Sequence, residues 1–363
     1  MTNRNTRVPV LGASVLALAL LTGCAGGPTS PEPEPTEADA TSASCNVPLK
    51  NEPVSLTVST LIEGFAPIVM AMESGAFEAA GIDFTLEKIS ASDSLPQIAQ
   101  GRLDGQLTSY SIGNMNAVAN GVEMKWVAPF YELPPTSVTE ELPGYWASTK
   151  FVGTGAKPDL TSLKGQTVAS PTGGSGAGGW LLAKALEKQG LKFSDVQFTT
   201  AAGADALIAL ENGAVAAAWL SSPHNQKAHE NPNLRLAATY EPGLNGSGII
   251  VGPSLLDRPE VLTKLLQVLS EMNEKYLQGD YHQNADVVGM LAKGLDQDPA
   301  IIKAGLPLIF DQTLDMADAA GYVEGLQKFA RANGGGLDYE KDLPAAQLVA
   351  PEFAAAAAAC LKK

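Results

Sequence analysis

The chain has 363 residues, with 24 Lys and Arg against 39 Asp and Glu, for a formal charge of −15 at pH 7. That length can bury one large core, or two cores with a cleft between them. The acidic surplus excludes nucleic acid as a partner, because binding phosphates needs clustered Lys and Arg; it serves solubility and does not fix the sign of a small site.

Arg4 and Arg7 precede a short apolar run over residues 8–21 that ends in LTGC, residues 21–24. A positive start, an apolar stretch and small residues before a cut form an export signal, and the run is too short for a transmembrane helix. LTGC resembles the bacterial lipobox, which implies a signal peptide over 1–23, diacylglycerol on Cys24 and an extracytoplasmic, membrane-anchored protein. An ordinary cleaved signal is the alternative. Residues 24–44, rich in Pro, Glu, Thr and Ser, read as a disordered tether reaching roughly 25–60 Å. With Cys24 acylated, Cys45 and Cys360 remain, and an oxidising compartment predicts a disulfide between them, two unrelated thiols being the alternative. Two thiols and three His predict neither a metal site nor a cofactor.

From Pro53 the pattern alternates. VSLTVST (54–60) reads as a strand, 65–77 as a helix and 81–89 as a strand. A helix at 94–100, a strand at 104–110, a helix at 111–120 and a strand at 124–132 follow. The rhythm repeats with strands at 166–170, 196–200 and 214–221 and helices at 176–189 and 203–212. Beyond Pro259 the chain reads as helices at 259–278, 284–294, 298–308 and 314–332. Alternation of this kind predicts an α/β fold with parallel-rich sheets flanked by helices. A weak internal echo lays IAQGRLDGQLTSY (98–110) on ALENGAVAAAWLSS (209–222), matching Ser109 to Ser221 at the ends of equivalent strands, where ligands of open α/β sheets lodge.

SPTGGSGAGGW (170–180) contains G-x-G-x-x-G at Gly174, Gly176 and Gly179. It leaves a strand and opens a helix, whose first amides lack acceptors and carry the positive end of the dipole, so an anion or polar acceptor group fits there. A nucleotide does not: no Lys-Ser or Lys-Thr follows the glycines, and the acidic residue nearest the next strand, Asp195, precedes it. A tight structural turn is the other reading.

ESGAFEAAGIDFTLE, IAQGRLDGQL, DLTSLKGQTVASPTGGSGAGGWLLAKALEKQGLKFSDVQ, ALENGAVAAAW and RPEVLTKLLQVLSEMNEKY stand in an order that resembles the solute-binding proteins of ABC importers for nitrate, sulfonates and taurine, with the related thiamine-pyrimidine binders. The resemblance spans residues 53–335; Ala216 departs from the Asp usual in the second Gly turn. It implies a two-lobed periplasmic-binding-protein fold of type II with a ligand cleft between the lobes, lobe one over 45–131 plus 240–363 and lobe two over 132–239. It also implies a hinge motion that closes over the ligand, ABC permease subunits as partners, and a monomer without catalytic residues.

Carried onto matching segments, the resemblance lines the cleft with Glu63, Phe65, Ser92, Ser94, Ser109 and Tyr110 from lobe one. Lobe two supplies Thr172, Ser175, Gly176, Trp219, Ser221 and Pro223. Asp93 or Ser94 is equally suited to cap the next helix, and Trp219 and Trp180 to packing. Glu63 is an exposed acid by default; facing the cleft, it would repel a sulfonate and favour an amine, an amidine-like ring or a hydroxyl. His224 is a possible donor to a ligand, whereas His229 and His282 read as helix caps or solvated residues. The leading expectation is a receptor for a sulfonate or similar organic anion. The alternatives are a heteroaromatic or amine-bearing solute such as a thiamine-pyrimidine precursor, or an exported enzyme on the same fold, although G-x-S-x-G is absent.

Overall fold

The computed structural model describes Cys45 and residues 47–133, 143–174, 176–240, 243–244, 246–333 and 336–361. The signal over 1–23, Cys24, the tether and Ser175 lie outside the described residues. Among the described residues twelve strands set the frame: β1 (Glu52–Val58), β2 (Ile82–Lys88), β3 (Gly105–Ser109), β4 (Lys125–Pro129), β5 (Glu132–Leu133), β6 (Gly144–Ser148), β7 (Thr167–Ser170), β8 (Gln197–Thr200), β9 (Ala217–Leu220), β10 (Leu234–Thr239), β11 (Gly243–Leu244) and β12 (Ser247–Val251). Two five-stranded sheets result, ordered β2-β1-β3-β12-β4 and β10-β6-β9-β7-β8.

The orders mirror each other. β1 pairs in parallel with β2 and β3, as β7 does with β8 and β9. β12 lies antiparallel between β3 and β4, as β6 does between β9 and β10. Both sheets are therefore mixed, because in each a strand that follows a crossover inserts against the βαβ direction. The two crossovers pair as a short antiparallel ribbon, with Gly243 opposite Leu133 and Leu244 opposite Glu132. Ser109 ends the central strand of one sheet, and Ser221 follows the central strand of the other.

Alternation drives the packing. In β6, Tyr145 points to one face of its sheet among Val168 and Leu182, and Trp146 to the other among Ala169 and Leu207; helices cover both faces, so the strand is apolar throughout. The first lobe carries the larger core, with Leu56, Ile68, Met70 and Trp126 fully buried. Helix starts follow local chemistry. Ser90 caps Ala91–Ala99 through the Asp93 amide at 3.2 Å, which places the cap several residues before Ser94. Ser111 and Asn114 form a capping box on Ile112–Ala119. No helix among the described residues is long and apolar enough to cross a membrane.

Cys45 and Cys360, 315 positions apart, are joined by a disulfide. It ties the start of the described chain to helix Pro351–Leu361, which packs along helix Pro259–Tyr276, and Lys264 of that second helix donates to the Cys45 carbonyl at 2.8 Å. Closing a loop of this length restricts the unfolded chain by roughly 5 kcal/mol at most. Reduction, or paired Cys45→Ser and Cys360→Ser changes, is expected to lower the unfolding midpoint by on the order of 5 °C with the far-ultraviolet circular dichroism unchanged. A midpoint that does not move would show that the bond contributes nothing.

Candidate functional site

The loop leaving β1 turns at once into a 3-10 helix, Glu63–Phe65, and so delivers a carboxylate to the interior. Glu63 is 4% exposed. Tyr281 Oη donates to its Oε1 at 2.5 Å and accepts from the Leu308 amide at 3.0 Å. His282 Nε2 lies 2.6 Å from the same Oε1, and Nδ1 lies 3.0 Å from the Gly305 carbonyl oxygen. Two acceptors flanking two ring nitrogens are fully satisfied only by the doubly protonated imidazole. Burial opposes that charge, but the hydrogen bond to Glu63, the charge of Glu63, the Gly305 carbonyl and Asp280 outweigh it and raise the His282 pKa. Burial first, then the negative charge of Glu63, pushes the Tyr281 hydroxyl well up, so it stays a donor.

This carboxylate lines a cavity of about 30 Å³, room for a water or two. Ile62, Glu63, Gly64, Tyr131, Leu306 and Leu308 form one wall. The facing wall is Pro143, which leads into β6, and Ser221, Ser222, Asn225 and Gln226 from the turn and helix after β9. The cavity thus sits between the ends of the two sheets and beside the crossover ribbon. Glu132 of that ribbon also exchanges backbone hydrogen bonds with Ile309, at 2.8 and 3.1 Å. Burial, then Asp311, Asp315 and Asp318, pushes its carboxyl up.

The structure brings two of the sequence-derived candidates, Glu63 and Ser221, to this cavity. Pro223 stands next to it, in a cis bond after the lining Ser222. Phe65 packs edge-on against Phe130, with centroids 4.9 Å apart, inside the core. Ser92 is exposed, while Ser94 is fully buried and donates to Gln106 Oε1 at 2.8 Å. Ser109 Oγ lies 3.2 Å from Ser247 Oγ across the β3–β12 pair. Tyr110 stacks on Trp126 and is fully buried. Trp219 packs edge-on against both Tyr145 and Tyr240.

The described residues of the glycine loop do not line the cavity. Thr172 is half-buried, and Gly176 is the residue before helix Ala177–Glu187. A Cβ on Gly179 would fall 2.1 Å from the Gly174 carbonyl oxygen, so the pattern has a packing cause: the loop folds back on its own helix. The reading of His282 as a cap or solvated residue is corrected, since it is 2% exposed and bound to Glu63. His229 is exposed. His224 is half-buried, and burial followed by Lys227 lowers its pKa. Tyr281, His282, Leu306, Leu308, Asn225 and Gln226 carried no sequence signal; Tyr281 stands 218 positions from Glu63, and no local spacing connects them. Among the described residues no group of three or more His, Cys, Asp or Glu could hold a metal ion.

The lobes also meet through aromatic edges. Trp180 of helix Ala177–Glu187 packs against Tyr322 of helix Ala319–Ala332 at 5.5 Å. Phe193 packs against Phe329 of the same helix at 5.0 Å. A Cβ on Gly325 would lie 2.5 Å from Trp180 Cη2, so Gly325 is the socket of this contact.

Residues 63–277 match the family described as NMT1/THI5 like. Among curated proteins no sequence matches. In fold, the chain is similar to the periplasmic aliphatic sulphonate binding protein SsuA from Escherichia coli (19% identity, 83% of this chain and 92% of that one, TM-score 0.59). It is also similar to the periplasmic nitrate-binding protein NrtA from Synechocystis PCC 6803 (14% identity, 78% and 81%, TM-score 0.55). A third similar structure is the desulfurization enzyme DSZB (14% identity, 85% and 99%, TM-score 0.53). At these identities the likeness is one of fold.

Two measurements probe this geometry. The His282–Glu63 pair stabilises fully below the ordinary histidine pKa of 6.5 and loses its contribution as pH climbs through the raised value. The gap in unfolding midpoint between wild type and His282→Gln is expected to be largest in mild acid and to shrink towards alkaline pH; a gap that widens with pH contradicts a charged pair. Gly325→Leu is expected to prop the lobes apart at the Trp180 contact, enlarging the radius of gyration in X-ray scattering without loss of helix content. An unchanged radius would mean that this contact does not hold the lobes together.

Proposed function

We propose that this chain, which belongs to the NMT1/THI5-like family, is the solute receptor of an ABC importer. It captures a small polar solute between its lobes and offers the closed form to membrane permease subunits. The carrying observation is a cavity walled by the loop after β1, with the Glu63 carboxylate, on one side and by the turn after β9, with Ser221 and Ser222, on the other, beside a two-stranded crossover ribbon. Such a ribbon lets two lobes swing with small changes in few residues, and the ligand shifts the population towards the state in which it touches both walls. In this reading lobe one is 45–131 with 240–363 and lobe two is 132–239. Cys24 carries the lipid that holds the protein outside the cell membrane.

An organic anion such as a sulfonate is one solute reading, supported by the binding activities named for SsuA and NrtA. An amine-bearing or heteroaromatic solute is the other, and the Glu63 carboxylate in the cavity wall favours it. The likeness to DSZB keeps an enzyme in view as a second class. Against it, both described cysteines are tied in the disulfide, which leaves no described thiol as a nucleophile.

The test is a thermal-shift screen of the full chain against sulfonates, nitrate, carboxylates, pyrimidines and amines, with solute analysis by mass spectrometry. A receptor gains about 2.7 kcal/mol from a ligand at 100 times its dissociation constant, and the solute is recovered unchanged. Conversion of the solute would make the protein an enzyme. No shift with any class would overturn the receptor reading.

A further inference from the structure

The cavity's chemistry is lopsided. Both protein donors to Glu63, Tyr281 Oη and His282 Nε2, fall on the same oxygen, Oε1. Oε2 accepts no hydrogen bond from any described residue, although the side chain is 4% exposed and lines the cavity. Among the described residues no Lys or Arg stands in either wall; the opposite wall offers the hydroxyls of Ser221 and Ser222 and the amide of Gln226. A sulfonate or nitrate brings only acceptors and negative charge. Beside a buried carboxylate whose imidazolium partner, His282, is already committed to Oε1, such a ligand loses its water and meets another acceptor at Oε2. A donor loses nothing there, because a charge-assisted bond to a free carboxylate oxygen is among the stronger hydrogen bonds available.

We infer that the solute is a nitrogen base that donates an N–H to Glu63 Oε2, and that Tyr281 and His282 are positioning residues that aim this carboxylate. The inference deepens the receptor reading and rests on it. Tyr281 and His282 occupy Oε1, which leaves Oε2 as the oxygen of this cavity-lining carboxylate that has no hydrogen-bond partner among the described residues. His282 is itself fixed by the Gly305 carbonyl, and Tyr281 by the Leu308 amide; both anchors lie within residues 305–308, of which Leu306 and Leu308 line the same wall as Glu63. Glu63 thus has one oxygen committed to the fold and one left for the solute. The lobe-two hydroxyls and amide then read the rest of the molecule when the lobes close.

The experiment titrates the full chain calorimetrically with two shape-matched pairs: acetamidine against methanesulfonate, and benzamidine against benzenesulfonate. The amidine of each pair is expected to bind and the sulfonate is not. Glu63→Gln is expected to weaken amidine binding about tenfold or more, the loss of a charge-assisted bond. Tyr281→Phe keeps the ring and removes only the hydroxyl; it is expected to narrow the amidine-over-sulfonate ratio, which a purely structural role would leave unmoved. Sulfonates binding as well as amidines, or amidine affinity unchanged in Glu63→Gln, would overturn the nitrogen-base inference while the receptor reading stands. Silence from all four probes, together with an unchanged scattering radius, would overturn both.

Discussion

Each sheet is completed by a strand inserted after a crossover, and the rest of the architecture depends on that exchange. β12 lies between β3 and β4 and buries Ile249, Ile250 and Val251 completely. Burying such side chains contributes about 1.5–3 kcal/mol each. A strand with neighbours on both sides cannot leave its sheet without breaking two ladders. β6 holds the equivalent place in the second sheet. The chain therefore crosses between the lobes twice, and the crossings themselves pair as β5 and β11. The lobes are stiff bodies because their sheets are closed by these insertions. Among the described residues two pairs join the ribbon, Gly243 with Leu133 and Leu244 with Glu132.

How much of this was legible follows from which signals are local. The βαβ strands announced themselves by β-branched alternation, and β1, β2, β7 and β8 fall within a residue or two of their expected bounds. The echo between residues 98–110 and 209–222 matched the ends of β3 and β9 as equivalent, and the two strands hold the same, central place in their sheets. The inserted strands were not seen. GYWAS and SGIIV are short and apolar, with no helical unit directly before them to set a rhythm, and their pairing is decided by partners far away in the chain; LRLAAT, the edge strand β10 after helix His224–Glu230, was missed as well. The same holds at the cavity. Glu63 drew notice because it sits beside a strand end, where acids have chemical meaning. Tyr281 and His282 follow a long amphipathic helix in a polar turn, and nothing within ten residues of them indicates a carboxylate. Ser92, Ser94, Phe65 and Tyr110 were carried over by segment matching, which places a loop and not the direction of a side chain.

A buried carboxylate is costly unless its oxygens are satisfied, and an ion removed from water loses several kcal/mol of solvation. Tyr281 and His282 offset that loss from one side only. Similar economy operates elsewhere in the fold without leaving anything open. Asp104 takes the Ser55 amide at 2.8 Å on Oδ2, and Arg258 at 2.6 Å with Ser254 on Oδ1. Both Asp104 oxygens are spent on structure. The contrast between Asp104, closed on both sides, and Glu63, closed on one, separates an acid that holds the lobe together from an acid placed at its edge.

The contacts that draw the lobes together are of a different kind from those in the cavity. Trp180 against Tyr322 and Phe193 against Phe329 are apolar edges, each contributing about 0.5–1.5 kcal/mol beyond its buried area. Two such pairs supply about 1–3 kcal/mol, less than the roughly 5.5 kcal/mol that carries a two-state equilibrium from one extreme to the other. They set how readily the lobes meet without a guest, yet they lie apart from the residues that read one. In the proposed receptor, closure and recognition are carried by separate surfaces, so a change at Gly325 would act on the first and a change at Glu63 on the second. The crossover ribbon, held by Glu132 to Ile309 on one side and to Leu244 on the other, is where the two meet, because Tyr131 beside it also lines the cavity.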